Sequence, residues 1–153
     1  MDELVLRPIA TIRGGRQEVA DDRWGGEVAD IVLAEWLPDA VLDGLDSFSH
    51  LEVVFLFNRV DPAKTMQARR HPRGNTALPL VGALAQRHKD RPGRIGLSRC
   101  RILEVSTRVV TVQGLDAVDG TPVLDIKPWF AAFGPQGDVE EPAWVAEVVR
   151  SYW

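Results

Sequence analysis

Apolar and polar positions alternate along much of this chain with a period of two, the signature of strands buried on one face. The clearest case is residues 50–57 (HLEVVFLF), β-branched and aromatic, and too apolar to lie exposed on both faces. Residues 97–105 and 109–115 alternate well and predict a hairpin across Ser106-Thr107-Arg108. Residues 4–12 (LVLRPIATI) predict a first strand, which Pro8 sends to an edge or kinks. Residues 27–33, 81–86 and 123–126 predict three further short strands. Helical signals occupy two places. Residues 38–45 read as a short turn, with Pro38 in its first turn and Gly44 near its end. Trp144, Val145, Val148 and Val149 predict a short amphipathic helix after Pro142. Polar, Gly- and Pro-rich loops fill residues 13–26, 61–80 and 88–96. The second is long enough to suggest a functional or mobile role.

Many short strands, turn signals and little helix predict a mainly β fold: a closed or nearly closed β-barrel with a short C-terminal helix, one domain over residues 1–153. A doubly wound dinucleotide-binding sheet does not fit. No helical pattern of ~10–15 residues separates the strands, and no G-x-G-x-x-G follows the first. The composition, 45% hydrophobic and 26% charged, is that of a soluble globular chain. No apolar run reaches the ~20 residues of a membrane span, and the acidic start MDELVLRPIA does not read as a secretion signal. A lone cysteine, Cys100, suits a reducing cytoplasm. Its place in an alternating strand predicts a core thiol; the flanking Arg99 and Arg101 offer a reactive thiolate as the alternative.

Charge is unevenly spread. Residues 59–108 hold twelve Lys and Arg against three acids, a net of +9, while the rest of the chain carries −13 and the whole −4. Two readings stand. The basic segment forms a face that meets an anion, or its arginines scatter over loops and pair with the acidic flanks.

Three stretches are candidates for chemistry. Ser49 and His50 open the most apolar strand, either capping it or facing a ligand. Residues 87–98 (RHKDRPGRIGLS) gather Arg87, Arg91 and Arg94 with two glycines, a combination suited to carboxylate or phosphate. Residues 115–129 (LDAVDGTPVLDIKPW) contain a tight turn at Asp119-Gly120-Thr121-Pro122, with Asp for local hydrogen bonds and Gly for positive φ. Beyond it Asp125 and Lys127 flank Ile126 on one face of a strand, as an ion pair or as part of a polar pocket. His50, His71, His88 and Cys100 lack metal-ligand spacing, so no metal is expected. Walker A and G-x-S-x-G motifs are missing.

Together FSHL (residues 48–51), Ala85-Gln86-Arg87, Arg91-Pro92, Ile95-Gly96-Leu97-Ser98 and DGTPVLDIKP resemble the TsaA-like family of tRNA methyltransferase O, as does the start at Pro8-Ile9 and Ile12-Arg13. The resemblance runs over residues 4–130 in the family's order. It implies a β-barrel that binds S-adenosyl-L-methionine, a homodimer with the cofactor site near the subunit interface, and N6-methylation of threonylcarbamoyladenosine in tRNA. On that basis Arg87, His88, Arg91, Pro92, Gly96, Leu97, Leu115, Asp119, Gly120, Thr121 and Pro122 are expected around the cofactor. Ser49, His50, Arg94, Asp125 and Lys127 are expected near the substrate, with His50, Asp119 and Asp125 as candidate bases. A small-molecule acceptor and a non-catalytic binding module are the alternatives. The chain departs from the family pattern at several positions. Gln86 replaces Thr, Gly93-Arg94 replaces Asn-Pro, Glu52 replaces an apolar residue, Leu84 replaces Phe and Trp129 replaces Tyr. The second, C-terminal domain of some members is not expected.

Overall fold

The computed structural model describes residues 3–153. Its strands are β1 (Ala10–Arg13), β2 (Val28–Leu33), β3 (His50–Leu56), β4 (Arg69–Arg70), β5 (Val81–Gly82), β6 (Ile95–Val105), β7 (Val109–Gln113) and β8 (Pro122–Pro128). One helix, α1, spans Trp144–Val149. Six strands close into an antiparallel barrel in the order β1-β2-β7-β6-β3-β8, and β4 with β5 forms a separate two-stranded sheet. The mainly β barrel with a short C-terminal helix is therefore the observed architecture.

Alternation builds the barrel. Ile12, Ile31, Leu51, Val53, Cys100, Val110, Val112 and Val123 point inward and are fully buried, and Leu115 and Ala117 extend the core beyond β7. On β6 the outward positions are Ile95, Leu97, Arg99, Arg101 and Leu103, all exposed. Gly96 faces inward. A Cβ there would sit 2.3 Å from the Phe55 ring, so the glycine is the space into which Phe55 packs.

Some elements differ from expectation. Pairing of the first strand starts only at Ala10, after Pro8, and Leu4, Val5 and Leu6 stand in solvent. Proline lacks the N–H that a ladder needs. The strand expected over residues 81–86 stops at Gly82, and Ala83–Ala85 forms a 3-10 turn. The buried Gln86 amide braces this corner by donating to the carbonyls of Arg70 and Val81. The turn expected over residues 38–45 is two 3-10 turns, Asp39–Leu42 and Leu45–Ser47, joined by Gly44 at φ 87°.

Antiparallel order sorts the loops between two rims. Residues 14–27, 57–94 and 114–121 share one rim; residues 34–49, 106–108 and 129–143 share the other. The C-terminal segment crosses the first rim. There the N–H groups of Arg23 and Trp24 donate to the carbonyls of Ser151 (2.8 Å) and Tyr152 (2.7 Å). Among the described residues no helix is long and apolar enough to cross a membrane.

Candidate functional site

At the first rim, the 119–120 turn closes through Thr121 N–H to the Val118 carbonyl, with Gly120 at φ 82°. The turn matches the sequence reading, but the role of Asp119 does not. Its carboxylate accepts from Gly14 N–H at 2.9 Å, tying its own turn to a loop 105 residues away. Asp119 N–H donates to the Arg16 carbonyl at 2.8 Å. Arg59 then clamps both loops, donating to the carbonyls of Gln17 (2.6 Å) and Asp119 (3.2 Å). Three loops thus meet on one carboxylate and one guanidinium.

The sequence offered no specific sign of Arg59. It was one basic residue among twelve, and only its position just after the most apolar strand set it apart. Arg16 was equally silent. It holds its loop by donating to Glu27 (2.8 Å) and to the carbonyls of Asp22 (2.6 Å) and Arg23, and it stacks 4.3 Å above the buried Trp24 ring.

On the same rim lies the basic loop. Arg91 donates to the Gln86 carbonyl at 2.7 Å and Arg87 to the Leu97 carbonyl at 3.1 Å. Arg94 stands at φ 49°. Proline, which the family pattern has here, is confined near −65°, so this loop takes a path of its own. His88 is half-buried, and neither ring nitrogen has a hydrogen-bond partner among the described residues. Burial, followed by the charge of Arg70, lowers its pKa below 6.5. Beneath the loop, Asp116 accepts hydrogen bonds from Ser98 and Tyr152. Burial, then the negative charge of Asp116, raises the Tyr152 phenol above its ordinary value.

The remaining expected residues are dispersed. Ser49 and His50 lie at the opposite rim, hydrogen-bonded to each other at 2.8 Å, roughly 20 Å along β3 from the cradle end. The backbone of this pair completes the sheet edge: Ile102 N–H donates to Ser49 and Trp129 N–H to His50. Asp125 and Lys127 form an ion pair of 2.7 Å on the outer wall, which raises the Lys127 pKa. Leu115 and Thr121 are buried, Gly96 serves Phe55, and Pro122 pairs with Thr11 in the ladder. Asp119, Gly120, Arg87, His88, Arg91, Pro92 and Arg94 remain at the first rim.

Two departures from the family pattern are neighbours in space. Glu52 pairs with Arg99 at 3.0 Å, and the Arg99 guanidinium lies 4.1 Å over the Trp129 ring. The acid and the larger aromatic hold one arginine between them.

The pairing of basic residues with the acidic flanks is observed in part. Arg73, Lys89 and Arg108 pair with Asp22, Asp21 and Asp39 of the acidic flanks. Lys64 and Arg69 make no ion pair or side-chain hydrogen bond among the described residues.

Comparisons with known proteins follow the same lines. A family profile described as the tRNA-methyltransferase O N-terminal domain matches residues 21–134. Over 105 residues the chain is 34% identical to a human tRNA (adenine(37)-N6)-methyltransferase, covering 69% of this chain and 23% of that protein. Over 133 residues it is 35% identical to a probable S-adenosyl-L-methionine-binding protein of Methanothermobacter thermautotrophicus, covering 84% and 91%. A crystal structure of TrmO from Pseudomonas aeruginosa superposes with a TM-score of 0.73 at 28% identity, over 91% of this chain and 61% of that one. The chain therefore spans about a quarter of the human relative and nearly all of the archaeal one.

Proposed function

We propose, given that the chain belongs to the tRNA-methyltransferase O N-terminal domain family, that it binds S-adenosyl-L-methionine at the first rim and methylates N6 of a modified adenosine, threonylcarbamoyladenosine, in tRNA. The observation that carries this reading is the meeting of residues 14–17, Arg59 and Asp119 at one point of the rim.

The residues suit this cofactor. S-adenosyl-L-methionine brings an ammonium, a carboxylate, ribose hydroxyls and a methyl on positively charged sulfur, which is the group transferred. Asp119, with one oxygen engaged by Gly14, keeps its other oxygen for an ammonium or ribose hydroxyl. Arg59, Arg87 and Arg91 are each anchored through carbonyls, which leaves further N–H groups for a carboxylate. Such anchoring fixes donor and acceptor in line for displacement, the main contribution a protein makes to methyl transfer. The acceptor nitrogen gives up a proton as it gains the methyl. Of His50, Asp119 and Asp125, only Asp119 belongs to this rim.

A homodimer forms part of the reading. Ile95 and Leu97 lie 44% and 41% exposed on the outer wall of β6, and the Leu97 carbonyl holds Arg87. A second copy against that wall would border the cofactor. One domain over residues 1–153 and a cytoplasmic location, where tRNA is modified, complete the proposal.

Calorimetric titration with S-adenosyl-L-methionine tests it, followed by transfer of labelled methyl to tRNA carrying threonylcarbamoyladenosine. Micromolar cofactor affinity that falls about tenfold or more in Arg59→Ala is expected. Cofactor binding without transfer to any tRNA would replace this reading with a small-molecule acceptor or a binding module.

A further inference from the structure

We infer that the groove between residues 64 and 90 is a binding site for the phosphodiester backbone of single-stranded RNA, and that the apolar shelf beside it receives one unstacked base. The inference rests on the tRNA reading above and adds a site separate from the cofactor cradle.

The groove has a volume of about 540 Å³ and is lined by Lys64, Arg69, Arg70 and His71, with Asp90 as its one acid. Asp90 is neutralised by Arg70 at 2.9 Å. Lys64 and Arg69 face the same groove, and neither has a carboxylate partner among the described residues, although the chain as a whole is acidic. Arg73 nearby is drawn into a pair with Asp22 of the acidic flanks; Lys64 and Arg69 are not, and they lie together in one groove. A polyanion supplies the missing counter-charge.

The wall of the groove is stiffened locally. Arg69 and Arg70 form β4, paired with Val81 and Gly82, and His71 bonds the Leu78 carbonyl at 2.7 Å. Gln67 is shared with a second groove of about 400 Å³, lined by Met66, Ala83, Leu84 and Pro92. Met66 and Leu84 are 80% and 74% exposed and both line this second groove, an apolar surface open to a ligand. An extended strand with phosphates over Lys64 and Arg69 would lay a base on this shelf. Pro92, at its far edge, belongs to the loop that carries Arg91, so the next nucleotide would reach the cradle rim. A duplex keeps its bases stacked and offers none to the shelf.

The test is fluorescence anisotropy with total tRNA and with an anticodon-arm stem-loop RNA across a salt series. The wild type is compared with Lys64→Ala/Arg69→Ala and with Met66→Ser/Leu84→Ser, and calorimetry with S-adenosyl-L-methionine checks that each variant is folded. We expect the double charge variant to lose tenfold or more in RNA affinity and to flatten the log–log salt slope by about 1.4, the value for two single-strand phosphate contacts. The shelf variant should lose affinity with an unchanged slope. Cofactor affinity should be unchanged in both. An unaltered slope in the charge variant, with the wild type binding tRNA, overturns the groove and leaves the methyltransferase reading standing. A wild type that binds the cofactor but no RNA overturns both.

Discussion

Tyr152 and Asp116 stand 36 residues apart and share one hydrogen bond, phenol to carboxylate, that fastens the C-terminal segment to the barrel. Ser98 occupies the other oxygen of Asp116. A part-buried carboxylate between two hydroxyl donors is stabilised only while both are present, since losing either leaves it short of a partner. Tyr152→Phe should therefore lower stability by about 1.5–3 kcal/mol, the range for hydrogen bonds to charged groups. Urea unfolding at neutral pH measures it. A midpoint equal to wild type would mean that the tail is held by its backbone bonds to Arg23 and Trp24 alone.

Gly96 and Phe55 make a second, steric pair. A methyl at Gly96 would fall 2.3 Å from the ring, inside contact distance. Gly96→Ala should cost about 1–3 kcal/mol or more through overpacking. Adding Phe55→Leu should cost less than the two single changes together, because the residues are in contact. Thermal melts of the four proteins close the cycle.

Cys100 reports on burial. Desolvation, with the nearby charge of Asp116, pushes its pKa up from 9.0 to about 12. Its thiolate fraction at neutral pH is then roughly a thousandfold below that of a free cysteine. Iodoacetamide at pH 7.5 should leave the native protein unlabelled and react promptly in denaturant. The same shift sets a sign: the folded state holds this proton more tightly, so its contribution to stability is full below pH 9 and is lost as pH rises towards 12.

His88 acts in the opposite direction. In the unfolded chain its imidazole takes up a proton near pH 6.5; in the fold, burial and Arg70 delay this to lower pH. The unfolded state thus binds more protons in that window, and stability declines as pH falls below 6.5. In His88→Leu the two unpartnered nitrogens are gone. Its melting temperature should fall less than that of wild type between pH 7.5 and 5. An identical fall in both proteins would remove His88 from the acid response.

The barrel was legible in the sequence because inward and outward positions alternate through residues 50–57, 97–105 and 109–115. Strand ends were less so. Whether residues 83–86 continue β5 depends on Gln86 bonding Arg70, a partner 16 residues away that no local pattern reveals. The same limit applied to the site. The turn at Asp119-Gly120 is local chemistry and was readable. The use of Asp119 to hold Gly14 and the clamp of Arg59 on both loops are tertiary facts. Same-face spacing on one strand left an Asp125–Lys127 ion pair and a polar pocket both open, and the pair on the outer wall is what forms.

The acceptors chosen by the rim arginines have a consequence for how this protein can vary. Arg59, Arg87 and Arg91 donate to the main-chain oxygens of Gln17, Asp119, Leu97 and Gln86. Every residue carries such an oxygen. The side chains at positions 17 and 97 can then drift without breaking the clamp, provided the backbone keeps its path, while the arginines cannot. This asymmetry gives the rim fixed anchors amid replaceable loops, an arrangement open to new acceptor specificities without rebuilding the barrel.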